Sequence, residues 1–224
     1  MHSVAFDQML PVFMHHPRQK AVQTQTSLIH FSGGFGISSN RIGLLLILNG
    51  IFGMFVQFII FPPVAKRFGV LTCMKTCTVL FPVIYIVFPF TSLIESDQKQ
   101  QIIGLLLIAC KCCMTVFAFP CNAILLTNSS ASAGTLGTLN GVATSVAEIG
   151  RTIGPTMGGL MFNVGVEAGL IVLPWWVMAA IALAAALPVL WMEDRPTPTE
   201  LAPQSQEHAN AVEDCEVGAS RRRQ

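Results

Sequence analysis

The segment IGLLLILNGIFGMFVQFIIF, residues 42–61, contains no charged side chain and decides the fold class of this chain. A helix that crosses the hydrocarbon core of a bilayer needs about 20 mostly apolar residues. Residues 42–61 meet that requirement, with the polar residues 38–40 as candidate N-caps and Pro62-Pro63 as the predicted end of the helix. The sequence therefore indicates a membrane protein.

The composition of the whole chain agrees with a lipid environment. Of its 224 residues, 52% are hydrophobic and 11% are charged, whereas soluble domains carry roughly 25% charged residues. The formal net charge of +1 argues against a nucleic-acid partner, because phosphate binding requires a clustered basic surface. Most of the seven cysteines lie in apolar runs. They therefore predict packing, not a disulfide framework or a redox or metal site at Cys110-x-x-Cys113.

Five segments have the length and hydropathy of spanning helices, and a shorter apolar segment precedes them. The predicted helices cover residues 4–14, 42–61, 70–93, 102–127, 139–162 and 168–192. A helix over residues 4–14 is too short for a hydrocarbon core of about 30 Å. It is either an interfacial helix or a spanning helix whose beginning is missing, and we favour the latter. Residues 1–192 are thus predicted to form an all-α bundle of six helices in the membrane.

The end of the chain differs from this bundle. Residues 193–224 are polar, contain several prolines and lack aromatic residues, so they are predicted to be a disordered tail. Basic residues are more frequent on the side of the bundle that holds residues 63–69 and the tail, which places the tail in the cytoplasm. Asn128-Ser129-Ser130, a glycosylation sequon, lies on the same side. Glycosylation at Asn128 would therefore reverse this orientation.

Four charged residues fall inside the predicted membrane segments: Asp7, Lys111, Glu148 and Arg151. Such residues usually face a bundle interior or a water-filled cavity. Asp7 is the natural partner of Lys111, whose role is either a structural ion pair or a substrate or coupling site. Glu148 and Arg151 are three residues apart and can pair along their own helix. The alternative for Glu148 is proton coupling, since a carboxylate in a low-dielectric site is suited to exchange protons.

The helix predicted over residues 139–162 carries two stripes of side chains. At roughly 100° per residue, one stripe is polar and the adjacent one is small, so a close-packing seam lies beside a polar seam. Pro155 removes a helix hydrogen bond, and a bend or a water-accessible backbone is expected there. This arrangement suits a moving bundle; the alternative is a static packing motif. The polar stripe is Asn140, Thr144, Glu148 and Arg151, and the small stripe is Ala143, Ala147, Gly150, Gly154 and Gly158.

The glycine spacing in this helix carries a family resemblance. The pattern Gly141-x8-Gly150-x3-Gly154-Pro155-x2-Gly158-Gly159 resembles the antiporter motif of the drug:proton antiporters of the major facilitator superfamily. Residues 117–159 are similar to helices ten and eleven of fungal members near the zinc-induced-facilitator group, and residues 5–13 to their helix seven. The turn at residues 63–69 is similar to a basic turn found in each half of that family. It carries Lys66 where the first-half version is acidic, so the resemblance implies the second six-helix half of a twelve-helix transporter.

The resemblance also implies a function. It implies proton-coupled export of small organic compounds through the plasma or vacuolar membrane, with the lipid bilayer, a small-molecule substrate and protons as partners. The midplane cavity between two such halves would be faced by Asp7, Lys111, Glu148 and Arg151.

Two other classes of function are alternatives to transport. The chain is alternatively a non-transporting membrane fragment, or a half that needs a separately encoded first half or a second copy. An enzyme is not expected, since HExxH, Gly-x-Ser-x-Gly and phosphate-binding motifs do not occur. No cofactor is expected, and His15, His16 and His30 are interpreted as loop residues, not as a metal site.

Overall fold

The computed structural model describes residues 2–17, 34–94, 96–129 and 133–193. The regular secondary structure of these residues is helical, which confirms the predicted all-α class. The predicted disordered tail lies outside the described residues, except for Glu193. The helices are α1 (His2–His15), α2 (Ser39–Phe68), α3 (Val70–Leu93), α4 (Asp97–Asn128), α5 (Ala133–Glu167) and α6 (Leu173–Leu190).

Four of these helices, α2, α3, α4 and α6, are long and apolar enough to cross a membrane. The chain is therefore an integral, multi-pass membrane protein. Helix α5 has 35 residues, but its glycine and polar residues keep its hydropathy below that of the four, so its crossing of the membrane stays a prediction. Helix α5 also begins six residues before the predicted start at residue 139 and ends five residues after the predicted end at residue 162.

The prediction that Pro62-Pro63 ends the second helix is wrong. Helix α2 widens into a π-helical turn at Val56–Ile60 and then continues as Phe61–Phe68. In the widened turn the Phe61 N–H donates to the Val56 carbonyl, one residue further back than in an α-helix. This turn precedes the prolines, which occupy the first positions of the next segment, where a proline is tolerated. The predicted loop at residues 63–69 is thereby reduced to Gly69, whose φ of 82° favours glycine.

Helix α1 is the shortest helix but lies in the core. Its inward side chains are at most 3% exposed and pack against α3, α5 and α6. The rings of Phe6, Phe13, Phe88 and Trp175 form the centre, with neighbouring centroids 4.9–5.7 Å apart. The structure therefore places α1 inside the bundle, against the alternative that it is an interfacial helix. The buried side chains of α1 are Ala5, Phe6, Met9, Leu10, Phe13 and Met14.

A short extended segment, residues 34–37, closes the C-terminal end of α1, and we call it the cap segment. Its amides donate to the last carbonyls of α1 and to Pro17, with N–O distances of 2.9–3.5 Å. The last carbonyls of a helix have no N–H donor within the helix, so the cap segment supplies the missing donors. The Phe35 ring of the cap segment is tilted against the Phe13 ring, with centroids 5.4 Å apart, and lies directly over Gly104 of α4. The cap segment therefore joins α1 to α4.

Candidate charged site

The centre of the candidate site is an ion pair between α1 and α4. The ammonium nitrogen of Lys111 lies 2.7 Å from each carboxylate oxygen of Asp7. The Lys111 side chain is 4% exposed, whereas the Asp7 side chain is 52% exposed. The pairing expected from the sequence is therefore present, and it is asymmetric. The lysine sits behind its partner, and the carboxylate is the group that faces outward.

Two neighbours on α1 hold the Lys111 ammonium in place. It donates to the Ser3 carbonyl at 3.3 Å and lies 5.3 Å from the centroid of the Phe6 ring. A cation over an aromatic face is stabilised by the ring quadrupole, the more so in a desolvated site. The Ser3 hydroxyl also contacts the Thr115 hydroxyl at 3.3 Å, and Thr115 donates to the Lys111 carbonyl at 3.0 Å. The lysine is thus fixed by one face of α1.

The sequence reasoning missed these neighbours, although one pattern could have found them. Ser3 and Asp7 are four residues apart, as are Lys111 and Thr115, so each pair shares a helix face. A polar residue one turn from a buried charge is a candidate for its support. No such pattern predicts the hydrogen bond between Tyr85 and His2, which are 2.9 Å apart.

A second ion pair lies on α5. Arg151 donates to the Glu148 carboxylate, and the two side chains are 42% and 54% exposed. The guanidinium carbon of Arg151 is 5.7 Å from the centroid of the Phe119 ring on α4. The pairing along one helix expected from the sequence is therefore present. Because both partners are about half exposed, the pair is not part of the buried core of the bundle.

Both ion pairs involve side chains on the same side of α4. Lys111, Thr115 and Phe119 follow one another at four-residue spacing, so they span about 80° of the helix and about 12 Å along its axis. Lys111 contacts α1 and Phe119 contacts α5. One charged face is thus bordered by α1, α4 and α5, with Asp7 near one end and the α5 pair near the other.

The two stripes of α5 separate clearly only in the second half of the helix. The polar stripe is exposed along its whole length. In the small stripe, Gly154 and Gly158 are buried, Ala143 and Gly150 are half-buried, and Ala147 is exposed. A side chain and not a backbone fills the seam, because the Met9 sulfur of α1 lies over Gly158. Helix α5 continues through Pro155. Gly141 and Gly159 of the motif are exposed and have open space in place of a Cβ.

The adjacent glycines Gly158 and Gly159 offer a matched test of this seam. A Cβ on Gly158 would lie 2.9 Å from the Met9 sulfur, so Gly158→Leu is expected to lower the stability of the bundle by about 1–3 kcal/mol, as overpacking does. Gly159→Leu points into open space and should leave stability unchanged. The thermal midpoints of the purified variants in detergent check both. Equal midpoints for the two variants would contradict the close contact between α1 and α5.

The arrangement of the described His and Cys side chains does not favour a metal site or a reactive thiol pair. Within the described ranges, no three His, Cys, Asp or Glu residues lie close enough together to hold a metal ion. Cys110 is exposed on α4 and Cys113 is half-buried, and both are free thiols. His15 contacts the Ile37 carbonyl at 3.2 Å. His30 lies outside the described residues.

Comparisons with known proteins match this chain to a family model and to proteins named as transporters. Residues 13–223 match the family model described as Major Facilitator Superfamily. The Aspergillus fumigatus protein named Major facilitator superfamily multidrug transporter mfsB is 35% identical over 193 residues, which cover 86% of this chain and 32% of that protein. An Arabidopsis thaliana protein named probable peptide/nitrate transporter is 22% identical over 137 residues, which cover 58% of this chain and 27% of that protein. No solved structure matches the chain significantly. The chain thus spans about a third or less of these curated relatives.

Proposed function

Because the chain belongs to the major facilitator superfamily, we propose that it takes part in moving small molecules across a membrane. The observation that carries the proposal is the Asp7–Lys111 pair. A lysine near the middle of a long apolar helix is costly in lipid, and here its counter-ion is half exposed. A pair that presents its carboxylate is placed to meet a substrate or a proton, whereas a pair enclosed on both sides is not.

Uptake by the reconstituted chain tests this role. We expect Lys111→Met to lower the uptake of small organic compounds into vesicles at least tenfold, because the carboxylate of Asp7 loses the cation that positions it. The control is Lys99→Met, which removes an exposed lysine from the start of α4 and should leave uptake unchanged. Equal uptake by the wild type and Lys111→Met would contradict the proposed role of the pair.

Proton-coupled export is the finer form of the proposal, and Glu148 is its candidate carboxylate. Glu148 lies on the exposed polar stripe of α5, where water and substrate would reach it in a transporter cavity. Glu148→Gln is expected to abolish the response of transport to an imposed proton gradient while a compound still crosses down its own gradient. Glu167→Gln, an exposed carboxylate at the end of α5, is the matched control. An unchanged gradient response in Glu148→Gln would overturn the coupling role.

The exposed polar stripe also favours a second candidate, a half that acts only with a partner. Asn140, Thr144, Glu148 and Arg151 are exposed, and polar side chains on a membrane helix normally face protein or a water-filled cavity. Either a separately encoded half or a second copy would cover them. Sequencing of full-length transcripts upstream of Met1 distinguishes the cases. An in-frame extension encoding six further helices would support the complete carrier and contradict a separate half.

The proposed orientation places the tail in the cytoplasm of a cell whose plasma or vacuolar membrane holds the chain. Asn128, the last residue of α4, is exposed and belongs to the glycosylation sequon. We expect no glycosylation there, because the cytoplasm lacks the enzymes for it. Digestion with an endoglycosidase and an Asn128→Gln variant, compared by gel mobility, check this. A mobility shift that Asn128→Gln removes would place this end of α4 on the other side.

A further inference from the structure

The junction of α2 and α3 concentrates positive charge in a region without carboxylates. No Asp or Glu occurs in the sequence between Asp7 and Glu95. Lys66 and Arg67 lie in the last turn of α2, and Lys75 lies in the second turn of α3. Lys66 and Arg67 are exposed, Lys75 is half-buried, and none of the three has an ion pair with a residue in the described part of the chain.

The backbone adds to the positive electrostatic potential at the junction of α2 and α3. The chain turns through Gly69 from the end of α2 directly into α3, so the N-terminus of α3 lies between Arg67 and Lys75 along the chain. The first amides of a helix have no intrahelical acceptor and carry a partial positive charge. Three cations and a helix N-terminus therefore lie within the ten residues 66–75 at one end of the bundle, which is a surface suited to a phosphate.

The surroundings of these cations are apolar. Phe58 and Ile59, about two turns before Lys66 and Arg67 on α2, are 76% and 58% exposed, and Phe68 beside them is 59% exposed. The Arg67 guanidinium carbon lies 5.7 Å from the centroid of the Phe68 ring. The cations thus border a surface that acyl chains would cover. An inorganic phosphate would use only the charges, whereas a phospholipid would use both parts.

We propose that Lys66, Arg67 and Lys75 form a docking site for the headgroup of an anionic phospholipid, whose acyl chains lie along Phe58 and Ile59 of α2. The described residues show no such arrangement at the opposite end of the bundle. There Arg41 and Lys99 stand apart on α2 and α4, and Glu95 and Asp97 adjoin Lys99 in the sequence. The described residues therefore favour docking at the junction of α2 and α3. The site is separate from the charged face of α1, α4 and α5, so it stands independently of the transport proposal.

Titration of the purified full chain in a neutral detergent tests the site. The probes are short-chain dioctanoyl phosphatidylserine, dioctanoyl phosphatidylcholine and inorganic phosphate, with binding followed by native mass spectrometry. A basic residue near an anionic headgroup strengthens binding by roughly fivefold, so removal of three should weaken it on the order of a hundredfold. We expect this loss for phosphatidylserine in the variant Lys66→Gln/Arg67→Gln/Lys75→Gln. The control Arg41→Gln/Lys99→Gln should bind as the wild type does.

Each remaining outcome decides against the site as proposed. Undiminished phosphatidylserine binding in the triple variant, with wild-type helicity by circular dichroism, would overturn it. Equal affinity for phosphatidylcholine would show that the charges do not recognise the headgroup. Competition by inorganic phosphate at the same concentration as phosphatidylserine would show a site for free anions. If lipid binds only after deletion of residues 194–224, which contain six acidic residues, the tail is the occupant.

Discussion

Replacing Asp7 by asparagine is expected to destabilise the bundle more than any other change at the charged face. Lys111 lies near the middle of α4, its side chain is 4% exposed, and Asp7 supplies its counter-charge. An unpaired lysine at that depth costs about 2.5–3.5 kcal/mol on insertion scales, and breaking a buried pair costs a similar amount. Asparagine keeps an oxygen acceptor but supplies no charge. The thermal midpoint of Asp7→Asn in detergent should therefore fall strongly.

Replacing Lys111 by methionine should lower the stability of the bundle much less than Asp7→Asn does, because the two partners are unequally buried. Lys111→Met leaves Asp7 without a partner, but that carboxylate is 52% exposed and is therefore not enclosed by protein. The double variant Asp7→Asn/Lys111→Met should recover most of the stability lost in Asp7→Asn, as a well-packed apolar replacement of a buried pair often does. Equal losses in the two single variants would contradict the asymmetric burial. No recovery in the double variant would show that the effect of Asp7 does not pass through Lys111.

The second large effect is expected at Gly34 in the cap segment. A Cβ there would lie 2.5 Å from the His16 carbonyl oxygen and nearer still to that of Phe13. These are backbone atoms at the end of α1, so a rotamer change cannot relieve the clash. Gly34→Val should separate the cap segment from α1, leaving carbonyls without donors and moving Phe35 off Gly104. We expect a loss of about 3 kcal/mol, at the upper end of overpacking effects.

The control for Gly34 is Gly43→Ala in α2, where a Cβ meets no atom within 4 Å. Alanine favours a helix over glycine by up to about 1 kcal/mol, so this variant should be as stable as the wild type or slightly more stable. Thermal unfolding followed by tryptophan fluorescence reports on both, since Trp175 lies in the aromatic centre that Phe35 adjoins. An unchanged midpoint for Gly34→Val would show that the cap segment does not close α1 as described.

The sequence predicted the parts of the molecule that follow from helix length and charge. A charge in lipid needs a partner, and Asp7 is the one acidic residue before Glu95, so the pair with Lys111 could be predicted. Glu148 and Arg151 are neighbours on any helix. The sequence favours α1 as part of a spanning helix, but its central position within the bundle could not be predicted from its length. Its burial depends on aromatic residues contributed by α3, α6 and the cap segment.

Two further features could not be predicted, because the local sequence patterns that bear on them point to different structures. Prolines usually end a helix, but the widened turn at Val56–Ile60 lets α2 pass them, and no sequence pattern marks where such a turn forms. The cap segment depends on backbone hydrogen bonds between residues about 20 positions apart, which side-chain patterns do not encode. The exposed state of Asp7 beside a buried Lys111 is likewise a property of the packed bundle.

The central position of α1 has a consequence for biogenesis. Asp7 and Lys111 are 104 residues apart in the chain, and translation at about 5–20 residues per second separates their synthesis by about 5–20 s. Helices α5 and α6, which also bury α1, emerge later still. During that interval Asp7 has no counter-ion. We therefore expect the nascent chain to need the translocon or an insertion chaperone to shield α1 until α4 is made.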